Sequence, residues 1–253
     1  VSNEKNLKPV DNREAAVTEA ALRSGWNHRH RDVSGGWLRP TVFGAVDGLV
    51  TNASLIAGVG GGGGSTHAIV LTGLAGLVAG AFSMGTGEYV SVTNQNELVH
   101  AEVAVERRMH EQFPAAEQAE LAETFRGYGA DAETAAKMSA AVSRDPDLAL
   151  RFHTRDELGL DAEDLPSAVL AGGASLVAFS IGALLPLIPY LLGFPGLLAS
   201  MIITAVALVA GGTFVGRLTG RPLIRAGSRQ LLLGAVAVGV TYLVGHLIGA
   251  VPS

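Results

Sequence analysis

The chain has 253 residues, 48% of them hydrophobic, with a mean hydropathy of +0.34 and a formal net charge of −5. The slight acidic balance and the lack of any basic-aromatic module exclude a nucleic-acid surface. With no cysteine present, disulfides, thiolate metal sites and cysteine nucleophiles are excluded, and any metal must be held by carboxylate, His, Met or carbonyl ligands.

The distribution of charge is more telling than its sum. No Lys or Arg occurs between Arg39 and Arg107, between Arg155 and Arg217, or after Arg229. Long apolar blocks free of basic residues, separated by basic-rich ones, indicate a bilayer. Much of the acid lies between Glu97 and Asp164. That pattern suits a cation-handling segment, although an acidic run is also what a merely solvated helix face looks like.

Residues 1–36 are hydrophilic and are expected to form a cytosolic N-terminal segment. Asp11 and Glu14 are spaced as a capping box for a short amphipathic helix to Arg23, with a disordered tail as the alternative. Residues 37–92 carry the first two predicted spans. The first runs from Trp37 to Val59, with Pro40 suited to a first helical turn. The run Gly60–Gly64 is expected to break it. The second starts near His67, stays apolar to Val92 and continues as one long polar helix to Glu111. Residues 93–165 are then an acidic helical insert, with helices over Pro114–Arg126, Asp131–Val142 and from Pro146 to just before Gly159.

Residues 166–253 hold the last three predicted spans, Pro166–Leu192, Gly196–Val215 and Leu231–Val251. Each has about the 20 residues that a hydrocarbon core of about 30 Å requires. A loop bearing Arg217, Arg221, Arg225 and Arg229 separates the last two, so that no Lys or Arg falls within these three spans. An N-terminus in the cytosol puts the insert and the four-arginine loop there too. The opposite side then carries no Lys or Arg, as the positive-inside rule demands. The expected fold is an all-α membrane protein of five transmembrane helices, with a cytosolic helical metal-binding module between helices 2 and 3.

Asp47 lies about 10 Å into the first span. A carboxylate there costs at least about 2.5–3.5 kcal/mol, and a metal ion or proton is its natural partner. The alternative is a shallow Asp solvated or bonded to Thr51. Met84 falls at a similar depth in the second span, where a thioether can contact a borderline-soft ion such as Fe²⁺ or simply fill space. Glu88, one turn further in on the same stripe, is placed to take an ion from the cytosolic side or to sit solvated at the interface. These three are the candidate translocation path.

In the insert, Glu102 and Glu106 are one turn apart, Glu117, Glu120 and Glu123 form a stripe, and His153 and Glu157 are one turn apart. Three such faces either meet around cations or are solvated independently. Glu97-x-x-His100 is half of a di-iron carboxylate signature, and no second pair exists. No phosphate-binding loop, Gly-x-Ser-x-Gly or His-Glu-x-x-His occurs. No enzyme, no ATP drive and no permanently bound cofactor is expected. The pairs Gly44/Gly48, Gly76/Gly80 and Gly212/Gly216 are small-xxx-small spacings that permit close helix approach.

The runs Asp47-Gly48-Leu49, Gly80-Ala81-Phe82-Ser83-Met84-Gly85, Gly87-Glu88-Tyr89-Val90-Ser91, Arg155-Asp156-Glu157-Leu158-Gly159-Leu160 and Gly182-Ala183-Leu184-Leu185-Pro186-Leu187-Ile188-Pro189 stand in the order and spacing of one family. From Arg39 onward the chain resembles the vacuolar iron transporters, bacterial members included. The resemblance implies a homodimer that moves Fe²⁺, and sometimes Mn²⁺, out of the cytosol in exchange for protons. It implies that Asp47 and Met84 line the path and that Glu106, Glu117, Glu120 and Glu157 are module ligands. Gly76 stands where eukaryotic members have a glutamate, with Glu88 as a possible substitute. Met109 stands where a second glutamate is common, with His110 or Glu111 as compensation. His153 and Thr154 replace a methionine pair, and His153 is a good Fe²⁺ ligand. The membrane would be a plasma membrane in a bacterium and a vacuole-type membrane in a eukaryote. The rival reading is a membrane-anchored iron buffer or sensor without transport.

Overall fold

The computed structural model describes residues 36–159, 162, 164–194 and 196–250. The amphipathic helix expected over Asp11–Arg23 lies outside them. Every regular element among the described residues is helical. The helices are α1 (Leu38–Gly61), α2 (Thr66–Gln112), α3 (Pro114–Gly127), α4 (Ala132–Val142), α5 (Pro146–Leu158), α6 (Ala168–Leu184), α7 (Ile188–Leu191), α8 (Leu197–Thr219) and α9 (Leu223–Gly249). A 3₁₀ turn, Leu185–Leu187, joins α6 to α7. Five segments are long and apolar enough to cross a membrane: α1, α2, the α6–α7 unit Ala168–Leu191, α8 and α9.

The centre of the bundle is the contact of α1 with α6, and it is made by backbone. A Cβ on Gly44 would lie 2.7 Å from the Ser175 carbonyl oxygen, and one on Gly48 would land on the Phe179 carbonyl. From the other side, a Cβ on Gly182 would strike the Ala45 carbonyl. Without a hydrophobic drive between helices in lipid, such close approach gains dispersion energy that larger residues would forfeit. Phe179 is fully buried here and packs with Ala81 and Ala183. A second cluster, Ile56, Ile69, Leu187 and Tyr190, closes the opposite end of the bundle.

The glycine run after Val59 does not end α1 where expected. The helix continues to Gly61, and the left-handed turn comes at Gly63, with φ of +77°. The reason is tertiary. A Cβ on Gly61 would sit 2.7 Å from the Tyr242 carbonyl oxygen, and one on Gly245 would strike Gly58. These residues are the seam between α1 and α9, which outweighs their poor helix propensity.

Pro186 and Pro189 loosen the α6–α7 span, and two side chains repair it. In a 3₁₀ register the Ala183 carbonyl would bond to residue 186 and the Pro186 carbonyl to residue 189; neither proline has an N–H. Asn52 Nδ2 donates to Ala183 O at 2.5 Å, and Ser200 Oγ donates to Pro186 O at 2.6 Å. Both side chains are fully buried. Sequence reading did not single out Asn52; a lone amide in an apolar run, five residues after Asp47, was the available signal.

The expected four-arginine loop is far shorter than the sequence suggested. Gly220, at φ of +67°, stops α8, Arg221 N donates back to Gly216 O at 2.9 Å, and Pro222 precedes α9. Arg217, Arg225 and Arg229 are therefore helical, and only Arg221 lies in the turn. Helix ends extending beyond the apolar layer let long basic side chains reach the headgroups.

Helix α2 has 47 residues, hence a length of about 70 Å. Ser65 caps its start by accepting from Ala68 N at 3.2 Å. It runs unbroken from the second span into the polar insert.

Gly48→Ala is expected to destabilise the purified protein by about 1–3 kcal/mol, the usual cost of overpacking. Gly173→Ala, whose new Cβ would meet nothing within 4 Å, should be neutral or slightly stabilising. Thermal unfolding of both variants in one detergent checks the contrast; equal midpoints would contradict the backbone seam. Asn52→Leu should cost about 1–3 kcal/mol by orphaning the Ala183 carbonyl, measured the same way.

Candidate metal centre

The insert is held by local signals that are easy to trace. Phe113 alone separates α2 from α3; its N–H donates to Met109 O at 2.8 Å, while its carbonyl accepts from Ala116 and Glu117 at 2.9 and 3.1 Å. This tight corner folds α3 back beside the end of α2. Asp131 caps α4 by accepting from Glu133 and Thr134 N–H groups, both at 3.0 Å. Asp145 caps α5 by accepting from Asp147 and Leu148 at 3.1 and 3.2 Å. Gly159, at φ of +64°, ends α5. Leu121, Phe125 and Ala135 form the small apolar core, and Phe125 meets Phe152 of α5 edge-on at 5.3 Å.

This packing brings together one face from each of three helices. Glu106 and His110 come from α2, Glu117 from the first turn of α3 and His153 from α5. His153 Nδ1 lies 3.1 Å from Glu106 Oε1 and 3.4 Å from Glu117 Oε2. His110 Nε2 lies 3.5 and 3.9 Å from the same two oxygens. One ligand atom from each of the four residues falls within 4.8 Å of all the others. Ligands about 2.1 Å from one ion stand at most about 4.2 Å apart, so a small inward adjustment closes the set on a divalent cation. Among the described residues this is the only such group of three or more His, Asp or Glu side chains.

The site is buried as well as convergent. Glu117 is 5% exposed and His153 4%. Glu106 Oε1, His110 Nε2, Glu117 Oε2 and His153 Nε2 are buried without an aligned hydrogen-bond partner. Buried polar atoms normally find partners, and a cation would supply one to three of these four at once. The electrostatics agree. Burial, then the Glu157 and Glu117 carboxylates, push the Glu106 carboxyl above its ordinary value. Burial, then Glu120, do the same to Glu157. Burial, then His153, hold His110 below its ordinary value, which keeps its imidazole neutral and free to coordinate.

The eight candidate ligands thus divide. Glu106, His110, Glu117 and His153 converge. Glu120 and Glu157 are exposed at the rim and act on the cluster through their charge. Glu102 and Met109 are exposed on α2, and Glu102 lies outside the convergent set, as does Glu111, the exposed neighbour weighed beside His110. Glu123 pairs with Arg126 at 2.6 Å, and Glu97 and His100 are exposed on α2.

The three span residues are arranged differently. Asp47 is half-buried on α1, and Thr51 Oγ1 donates to its Oδ1 at 3.4 Å. That is a long bond and leaves most of the carboxylate's capacity unused. Met84 leans on the Ala81–Phe179–Ala183 cluster, so its thioether contributes to packing. Glu88 is half-buried one turn further along α2.

Comparison with known proteins bears on all of this. Residues 38–246 match the model of the VIT family. The chain is 31% identical over 229 residues to vacuolar iron transporter 1 of Oryza sativa subsp. japonica, covering 88% of this chain and 90% of that one. It is 29% identical over 218 residues to vacuolar iron transporter 1 of Arabidopsis thaliana, covering 85% and 87%. It is 34% identical over 216 residues to vacuolar iron transporter homolog 1 of Oryza sativa subsp. japonica, covering 84% and 74%. A match that runs from the first span nearly to the end of the fifth, across the insert and its ligands, establishes that this multi-pass membrane protein belongs to the VIT family.

Proposed function

We propose that this protein is a secondary transporter that carries Fe²⁺, with Mn²⁺ as a second cargo, out of the cytosol in exchange for protons. The observation that carries the reading is the convergence of two imidazoles and two carboxylates in the insert, in a chain whose relatives are named iron transporters. Two nitrogens and two oxygens make a borderline donor set suited to Fe²⁺. The cytosolic placement of the insert is supported by charge. By connectivity the insert and the α8–α9 arginines lie on one side of the bilayer, and the opposite turns hold no Lys or Arg.

In this reading the module collects the ion. Glu120 and Glu157 add negative potential around the quartet and raise the local cation concentration. Glu88 is 18 residues before Glu106 on the same helix, about 27 Å away, so capture and passage are separate events. Within the membrane the ion passes Glu88, Met84 and Asp47. Phe82 is 62% exposed on α2, and a path at the contact of two copies would cover this face. Asp47 has no cation of the protein bonded to it among the described residues, so an ion or a proton neutralises it in turn. Protonation from the far side weakens the metal's hold and releases it.

Three outcomes are expected. Glu117→Gln and His153→Ala should each weaken Fe²⁺ binding by the full-length protein at least about tenfold, measured by anaerobic titration calorimetry. Unchanged affinity would remove the quartet from metal capture.

Binding should also fall on acidification. The raised Glu106 carboxyl takes up its proton at a higher pH than a free glutamate, so competition with metal starts above the ordinary glutamate range. In metal-free protein the same shift has the opposite sense. Its contribution to stability is complete below the unfolded-state value and lost as pH rises through the raised one. Added metal should therefore raise the unfolding temperature most at neutral pH and progressively less towards pH 4.5. A metal-induced shift that is flat with pH would count against carboxylate ligation.

Asp47→Asn should abolish Fe²⁺ flux into proteoliposomes while leaving calorimetric binding at the module intact. Normal flux would take Asp47 out of the path. No flux from the unmodified protein, with binding retained, would favour the buffer or sensor reading.

A further inference from the structure

A cleft of about 280 Å³ opens between α1, α8 and α9 on the side of the bundle from which the insert projects. Its mouth carries Arg39, Arg229 and Gln230, and its walls are apolar, among them Phe43, Val46 and Val215. Arg39 is the second residue of α1, two residues after Trp37, an exposed aromatic of the kind that anchors helices at the membrane–water interface. Arg229 is six residues into α9, about 9 Å from its start. The apolar run of α9 begins only at Leu231, after Arg229, and Arg39 stands at the start of α1, so both long side chains are placed to reach the headgroups. Phe43 and Val46 follow one and two turns deeper, at acyl-chain level.

Neither Arg39 nor Arg229 makes an ion pair or hydrogen bond with another described residue, whereas Arg107 and Arg126 in the insert have carboxylate partners. Two cations without a partner among the described residues, above an apolar slot and with Arg221 and Arg225 close by in sequence, complement an anion that carries a hydrocarbon tail. Space continues below them: a Cβ on Gly211, in the cleft floor, would meet nothing within 4 Å. The neighbouring Gly212 is different, since a Cβ there would lie 2.6 Å from the Ala226 carbonyl oxygen. Gly212 is thus taken up by the α8–α9 seam, while Gly211 leaves a groove open.

We propose that this cleft binds an anionic phospholipid, its phosphate held between Arg39 and Arg229 and one acyl chain lying along Phe43, Val46 and Gly211. The site is independent of the metal quartet and of Asp47, and does not rest on the transport reading. An occupant would bridge α1 to the α8–α9 hairpin, so its binding reads out as stability.

The test uses the full-length protein in a mild detergent, with phosphatidylglycerol as the probe. Phosphatidylglycerol should raise the unfolding temperature by about 5 °C over phosphatidylcholine. Arg39→Gln and Arg229→Gln should each lose most of that difference, and Arg225→Gln, outside the cleft, should keep it. Gly211→Leu, whose Cβ would meet nothing within 4 Å, should abolish it while leaving the lipid-free protein at least as stable. Native mass spectrometry of the same samples should find a retained phosphatidylglycerol only where the shift survives. Equal shifts from the two lipids, equal loss in Arg225→Gln, or retention in Gly211→Leu would overturn the proposal. A shift of the same size from inorganic phosphate would also overturn it, assigning the arginines to a soluble anion.

Discussion

Backbone contact between α1 and α6 is the constraint from which the rest of the arrangement follows. Gly44, Gly48 and Gly182 allow the two helices to touch carbonyl to Cα, and this fixes the rotation of α1. With Gly48 turned to α6, Asp47 is turned aside from that seam and half-buried. Asn52 is turned inward, where it bonds the Ala183 carbonyl beside the proline-loosened turn. The same rotation presents Val42 and Val46 to the cleft under Arg39 and Arg229. One glycine-lined seam therefore sets the surroundings of a carboxylate, an amide and a basic cleft. In lipid, where apolar burial gives helices no reason to associate, that degree of specification has to come from close packing and from polar groups with one available partner.

Helix α2 is the second organising element. It belongs to the bundle through Gly73, Ala81 and Gly85 and to the insert through Glu106 and His110. Because it is continuous, half of the His/Glu quartet is carried on the helix of the second span, while Glu117 and His153 arrive on short helices held by caps and a small core. Burial and the neighbouring carboxylates raise Glu106 and Glu157 above their ordinary values, a strain that a dication among them would relieve.

Much of this was legible in the sequence, and what was not has identifiable causes. Apolar blocks without Lys or Arg located all five spans, because the bilayer imposes length and polarity directly. Pro114, Asp131, Pro146 and Gly159 marked the insert helices, because capping is local chemistry. The continuation of α1 to Gly61 was not readable, since glycine signals a break unless a partner such as Gly245 lies against it. The start of α9 at Leu223 was hidden by arginines that look like loop residues until the helix is seen to outrun the apolar layer. Among the insert candidates, spacing put Glu106, Glu117 and His153 on helical faces, but not which faces meet. His110 entered as one of two compensating neighbours, and it converges while Glu111 does not. That choice depends on the Phe113 corner, which sets how α3 returns on α2.

A transporter differs from a buffer in that the ion crosses the membrane and does not merely bind. The most direct measurement follows luminal Fe²⁺ and luminal pH together in proteoliposomes containing the unmodified protein, with Fe²⁺ added outside. Transport in exchange for protons predicts saturable Fe²⁺ influx accompanied by alkalinisation of the lumen. Fe²⁺ uptake that stops at the amount of protein present, with no change in luminal pH, would contradict it.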